Sequence, residues 1–343
     1  MEKSNKIKWI LAWLILTIPA AFRYQTGQDW LAYEDAYNVV VNSGGFINVA
    51  YNIEMSFKIL SYISYKLTGS SILLFGTYAG LTNLFVLLGV YRFRKYISCS
   101  WAIYIYTSLL YFMMYNIGRQ FLALAIVFAG TKEIVDRKPV KYLIYVLLAT
   151  LFHSTAILTL FLYLYGFAAS EQHKYRKLIN MLLFLAPVVA MLGFNEILYM
   201  ASLILDNDKY NSYSLGGGQS IGLGALVQLA MCLAVFVSYK KNKCNLSSER
   251  ILNYSIRTYV LANVLFMLQY VMANYGGRIY LYFIPVEMIL FGAILRGVSF
   301  NWRRLVLKAN YVQVFSIAFS MFQAIYAIAT NAQKHVPFAF RWF

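Results

Sequence analysis

Residues 142–166 read YLIYVLLATLFHSTAILTLFLYLYG, an apolar run of 25 residues with no Lys, Arg, Asp or Glu. Lys138 and Lys141 stand before it, and Lys174, Arg176 and Lys177 after it. Basic residues of membrane proteins collect on the cytoplasmic side, so both flanks belong to one side and the run must cross twice or not at all. One straight helix of this length, about 37 Å at 1.5 Å per residue, would cross once and strand every later basic cluster outside. A helical hairpin turning near His153–Ser154 meets both demands, with arms of about 13 residues and about 20 Å. His153 is then expected beneath the outer surface, at the bottom of a pocket.

The rest of the chain fits this frame. Of 343 residues 61% are hydrophobic and 13% charged, and the mean hydropathy is +0.59, more apolar than a soluble domain tolerates. No alternating ten-residue barrel pattern occurs, so the class is all-α: a polytopic integral membrane bundle. The net charge of +17 reflects topology, not nucleic-acid binding. Most Lys and Arg fall in six cytoplasmic clusters: Lys3/Lys6/Lys8, Arg92/Arg94/Lys95, Lys132/Arg137/Lys138/Lys141, Lys174/Arg176/Lys177, Lys240/Lys241/Lys243/Arg250 and Arg296/Arg303/Arg304/Lys308. Spans are expected over 9–22, 71–91, 100–115, 119–131, the two hairpin arms, 178–194, 221–239, 252–275, 279–295 and 310–330. That makes about 11 crossings, with the amino terminus inside and the carboxyl terminus outside. Parity keeps DWLAYEDAYNVVV (29–41) and EMSFKILSYISYKL (54–67) at the outer interface. The first apolar run lacks a small-residue cleavage site and reads as a retained helix. With no linker or repeat, 1–343 reads as one membrane domain, its outer loops at about 23–70 and 195–220 contributing to a cavity. The 3 cysteines suggest neither a disulfide framework nor a CxxC metal site.

Ionisable residues outside the basic clusters then sort to the outer side: Arg23, Asp29, Glu34, Asp35, Arg119, His153 and Arg278. Arginines near lipid are costly unless they line a hydrated cavity. Arg119 opens a helix, where a positive charge opposes the macrodipole. The placement makes sense if a ligand supplies an anion to its guanidinium and to the amides of Gln120 and Phe121. Arg23 and Arg278 equally suit snorkelling at helix ends, His153 a satisfied core position, and Asp29 an N-cap. Most of the 30 tyrosines suit interfacial belts and packing, with Tyr24, Tyr33 and Tyr280 as candidates to stack on a sugar. LGGGQS (215–220) is not followed by GK[ST], and no HExxH or GxSxG occurs, so neither ATP coupling nor a metal is expected.

FRYQTGQDWLAYEDAY (22–37), NIGRQFLALAI (116–126), LLATLFHSTAIL (147–158), GGRIYLYF (276–283) and VPFAF (336–340), in this order and spacing, resemble the EpsG family of bacterial exopolysaccharide proteins. The chain departs from that pattern at Gln28, where threonine is commoner, and at Thr155. The family is similar to Wzy-type polymerases, so the resemblance implies a GT-C-like membrane glycosyltransferase in the bacterial cytoplasmic membrane. It would join oligosaccharide repeat units carried on a polyprenyl diphosphate at the outer face. Arg23, Arg119, Gln120 and Arg278 would bind the diphosphate, and His153 or Asp29 would take the acceptor proton, without metal or other cofactor. Partners implied are the lipid-linked oligosaccharide, membrane lipid and a chain-length regulator. The alternatives are an O-antigen-ligase-like transferase and a non-enzymatic flippase or exporter of the same lipid-linked sugars. Functional charges gathered on one side favour an enzyme over a transporter.

Overall fold

The computed structural model describes residues 2–45, 53–168, 176–193, 196, 222–241, 249–268, 276–301, 306–331, 334 and 338–340. The reversal at His153 is present. Helix α7, Pro139–Thr150, begins with a proline, whose missing N–H costs nothing in a first turn. The chain then turns at Leu151–Phe152, and His153 takes an extended backbone (φ −156°, ψ 116°) before a 3-10 helix, Ser154–Thr159, and α8, Leu160–Ala168. Tyr142, near the start of α7, donates its hydroxyl to the Thr159 carbonyl at 2.8 Å, tying the two arms together.

Before the hairpin come α1 (Glu2–Ala21), β1 (Arg23–Tyr24), α2 (Trp30–Asn42), α3 (Met55–Thr68), α4 (Ile72–Arg92), α5 (Cys99–Ile105) and α6 (Gly118–Val135). After α8 follow α9 (Arg176–Leu192), α10 (Leu223–Lys241), α11 (Glu249–Leu268), a 3-10 helix (Gly276–Tyr282) and α12 (Val286–Ile294). The chain ends with β2 (Ser299–Asn301), β3 (Val306–Lys308), α13 (Tyr311–Thr330) and β4 (Ala339–Phe340). The strands form two short antiparallel pairs, β1 with β4 and β2 with β3.

Two expected spans are broken. Where one helix is expected over 100–115, α5 gives way to a π turn, Tyr106–Leu110, and a 3-10 turn, Tyr111–Tyr115. The altered pitch accompanies phenol hydrogen bonds from Tyr106 to Asn83 Oδ1 (2.8 Å) and from Tyr111 to the Leu16 carbonyl (2.6 Å). Within 279–295, Pro285 stands at the N-cap of α12 and separates it from the preceding 3-10 helix. Among the described residues, 72–92, 250–268 and 311–330 are long and apolar enough to cross a membrane, with shorter apolar helices over 139–150, 154–166, 177–190 and 223–237. Large aliphatic side chains such as Ile15, Ile144, Leu147 and Ile325 are exposed. That is the surface of a helical membrane protein, whose outer face meets lipid.

The chain divides into two compact units: Met1–Lys95, Ile103–Leu160 and Met321–Phe343 form one; Tyr96–Ala102 and Phe161–Ser320 form the other. In the first, α6 is the central element, with every residue from Gln120 to Thr131 buried. Gly89 of α4 lets the Phe128 ring of α6 come so close that a Cβ there would meet it at 2.4 Å. Arg92 clamps α4 to its neighbours, pairing with Glu133 of α6 and donating to Tyr145 of α7 at 3.0 Å. In the second unit, Tyr259 of α11 meets Phe291 of α12 edge-on at 5.6 Å, and Tyr165 of α8 donates to the Arg257 carbonyl of α11. The expected outer loop 195–220 with LGGGQS, apart from Glu196, and residues Lys174, Lys243, Arg303 and Arg304, and Val336–Pro337 of the terminal motif lie outside the described residues.

Candidate functional site in the first unit

Three of the separated motifs are knitted together around the turn after α1. Gly27 has φ +102°, and a Cβ there would meet Asn116 Oδ1 at 2.9 Å and the Tyr115 carbonyl at 3.0 Å, so TGQD requires glycine twice over. The next amide, Gln28 N–H, donates to Asn116 Oδ1 at 2.6 Å, fastening this turn to NIGRQ. From the far end of the chain, β4 pairs with β1 so that Phe340 lies opposite Arg23 and Ala339 opposite Tyr24. The Ala339 amide also donates to Thr26 Oγ1.

This turn presents Arg23, which is 5% exposed. Its guanidinium lies between the rings of Phe75 (4.8 Å) and Tyr115 (4.7 Å) and donates to the carbonyls of Ala20 (3.0 Å) and Tyr115 (3.5 Å). Its Nε has no hydrogen-bond partner, and among the described residues no carboxylate pairs with it. Burial lowers its pKa to about 10, opposed by the nearby phenols of Tyr115, Tyr33 and Tyr111, so it stays charged at neutral pH.

Arg23 and Arg119 line one cleft, with about 360 Å³ of non-atom space including its open part, walled by Tyr33, Phe57, Phe75 and Tyr78. Gly118 and Arg119 enter it from the start of α6, and the Arg119 amide donates to the Tyr33 hydroxyl at 3.3 Å. The expected open amides are not found there: the Phe121 amide donates to the Ile117 carbonyl at 2.7 Å, and Gln120 and Phe121 are both buried. The anion beside Arg119 is a protein carboxylate: Arg119 Nη1 pairs with Glu54 Oε2. Glu54 Oε1 lies 3.0 Å from His153 Nδ1, so one carboxylate bridges the helix-opening arginine and the hairpin-tip histidine. His153 Nε2 makes no hydrogen bond among the described residues, and Arg119 Nε is buried without one.

Glu54 is held by its own segment. It is the N-cap of α3, with extended ψ of 143°, and its carbonyl accepts from Phe57 and Lys58. Ser56 Oγ donates to the Leu151 carbonyl, docking the start of α3 on the hairpin turn. Burial alone would raise the Glu54 carboxyl. The His153 hydrogen bond and the Arg119 charge outweigh it and hold the group at about 2, against the ordinary 4.5. Glu54 is thus ionised at any physiological pH.

The remaining candidates are placed as follows. Asp29 occupies the N-cap position of α2, but its side chain makes no capping hydrogen bond. Gln120 is buried on α6, and Tyr24 is exposed with its ring edge-on to Trp30 at 5.2 Å. In the second unit, Tyr280 packs on Phe266. The Arg278 backbone belongs to the 3-10 helix there, and its side chain lies outside the described residues. Glu54 is the residue that the sequence reading passed over. The available signal was that it is a lone carboxylate opening an amphipathic segment on the same side as the unpaired arginines.

Fold and cleft together define a multi-pass helical membrane protein with an aromatic-walled, arginine-bearing site. A family model described as the EpsG family matches residues 6–340, nearly the whole chain. The chain belongs to the EpsG family. No curated protein and no solved structure was found to match it.

Proposed function

We propose that the protein is an exopolysaccharide polymerase: a glycosyltransferase that joins polyprenyl-diphosphate-linked repeat units at the outer face of the bacterial cytoplasmic membrane. Membership of the EpsG family supports a polymerase-like role. The observation that carries the catalytic reading is Glu54, bonded at once to His153 Nδ1 and to Arg119 beside the cleft. A carboxylate on Nδ1 fixes the imidazole tautomer with the proton on Nδ1, which leaves Nε2 as the acceptor. In the reaction, a sugar hydroxyl of the incoming unit attacks the anomeric carbon of the chain. The bond from that carbon to the diphosphate oxygen breaks, and the hydroxyl proton passes to His153 Nε2. The imidazolium so formed is stabilised by Glu54.

The leaving diphosphate carries the charge that develops, and fixed cations aimed at it lower the barrier. Arg23 suits this contact best, because it is the cleft guanidinium not neutralised by a carboxylate. Arg119 divides its charge between Glu54 and the ligand, and Gln120 belongs to the same proposed diphosphate set; Arg278, in the second unit, is proposed separately as a diphosphate-binding residue. Tyr33 on the cleft wall and Tyr24 are proposed to stack on sugars, as separately is Tyr280 in the second unit, and Asp29 to place the acceptor. The proposal includes the single domain over 1–343, a GT-C-like architecture, about 11 crossings with the amino terminus cytoplasmic, and a chain-length regulator as partner. The test is polymer formation by purified protein from a synthetic lipid-linked repeat unit, read as a ladder on a gel. Wild type should extend the chain and His153→Gln should not; a wild-type ladder from His153→Gln would refute the base assignment.

A further inference from the structure

The second unit holds a buried carboxylate that the polymerase reading does not use. Glu287, in the first turn of α12, is 3% exposed. Gln228 of α10 donates Nε2 to its Oε1 at 3.1 Å. The thiol of Cys232, one turn further along α10, and the phenol of Tyr259 on α11 are the other titratable groups within its electrostatic reach. No lysine, arginine or histidine pairs with Glu287 among the described residues. A bare carboxylate in such an interior is strongly disfavoured, so the group takes up either a proton or a cation.

Side-chain oxygens of α11, which packs on α12 through Tyr259 and Phe291, decide between them. Ser255, Tyr259 and Asn263 recur at intervals of four on α11, which aligns them along one face. All three are at most 2% exposed, and among the described residues Ser255 Oγ, Tyr259 Oη and Asn263 Oδ1 have no hydrogen-bond partner. Asn263 spends its Nδ2 on the Tyr259 carbonyl, so only its acceptor is left over. A proton on Glu287 supplies a single donor and leaves the other oxygens unsatisfied. A small cation satisfies several at once, and a set of oxygens with one negative charge suits a hard monovalent ion.

We infer that Glu287, with the side-chain oxygens of Tyr259 and Asn263, binds a monovalent alkali cation between α10, α11 and α12. The site stands apart from the polymerase reading and does not depend on it. Thermal unfolding of the full-length protein in detergent, in LiCl, NaCl or KCl against choline chloride at equal ionic strength, tests it. One alkali cation should raise the midpoint saturably by about 5 °C or more. The rise should vanish in Glu287→Gln, and its half-saturating concentration should increase several-fold in Tyr259→Phe, which keeps the ring packing. Should Glu287→Gln fail to fold, retention of radioactive sodium by wild type and Tyr259→Phe decides, with about one ion per chain expected and weaker retention in the variant. Equal midpoints in alkali and choline salts, an alkali-specific rise that survives in Glu287→Gln, or retention unchanged in Tyr259→Phe would each overturn the inference.

Discussion

Glu54→Gln removes one charge, keeps the side chain's shape, and acts on both partners of the bridge. The difference between the ordinary 4.5 and about 2 for this carboxyl is equivalent to about 3 kcal/mol. The Arg119 and Glu54 side chains are 26% and 15% exposed, so screening reduces the loss to about 1–2 kcal/mol. The folded-state pKa is depressed, so this stabilisation is complete above about pH 4.5 and is lost as pH falls towards 2. Thermal unfolding of wild type should accordingly weaken between those values, and Glu54→Gln should be flatter there, with its deficit visible at pH 7. Catalysis should suffer more than folding. Without a carboxylate on Nδ1 the imidazole is free to turn and to take the wrong tautomer, and turnover should drop by about 10²-fold with little change in donor affinity. The assay is polymerisation by purified protein from pH 5 to 9, with donor binding measured in parallel. Wild-type turnover in a folded Glu54→Gln protein, alongside a dead His153→Gln protein, would show that the bridge does not orient the base.

Arg119→Lys should be more stable than Arg119→Ala yet polymerise poorly, because an ammonium lacks the fork that can hold Glu54 and a phosphate together; full activity in the lysine variant would remove that contact. Arg23→Gln should weaken donor binding and lower turnover together, measured as KM and kcat, since a transition-state charge and a ground-state charge both face it. Asp29→Asn should keep partial activity whereas His153→Gln loses about 10²-fold or more in single-turnover polymerisation; the reverse order would exchange their roles. Cysteines placed at Ser154 and Lys138 should be labelled by impermeant reagents from the outer and inner sides respectively, and labelling of both from one side would refute the hairpin's placement across the membrane.

Element existence was legible where apolar length and basic flanks acted together. The reversal at His153 follows from charge parity around 142–166, and α2 and α3 form where parity left two amphipathic pieces over. Breaks inside elements were not legible, for two different reasons. The π and 3-10 turns over 106–115 accompany phenols that bond to Asn83 and Leu16, contacts distant in sequence that periodicity does not report. The break before α12 has a local cause, Pro285, which was readable in principle. Of the candidate residues, Arg23, Tyr33 and Arg119 line one cleft. The wiring of that cleft was not legible, because Glu54 lies 65 residues from one partner and 99 from the other.

That wiring changes where an anion should go. The macrodipole argument called for a negative group beside Arg119 and expected a ligand to supply it, whereas Glu54 supplies one from within the protein. Once Arg119 is balanced, the charge on the cleft is governed by Arg23, a guanidinium held between two rings and, among the described residues, bonded only to carbonyls. Neutral carbonyls and ring faces stabilise a cation without cancelling it, so Arg23 keeps its positive charge at neutral pH. A diphosphate entering the cleft would meet Arg23 without displacing any carboxylate, whereas contact through Arg119 alone would compete with Glu54 and loosen His153. Under the proposed mechanism, donor binding and base orientation can coexist only if Arg23 takes the larger share of the phosphate charge. For this reason Arg23→Gln and Glu54→Gln should differ in kind: the first weakens the grip on the donor, and the second leaves the donor bound and the proton without a well-aimed acceptor.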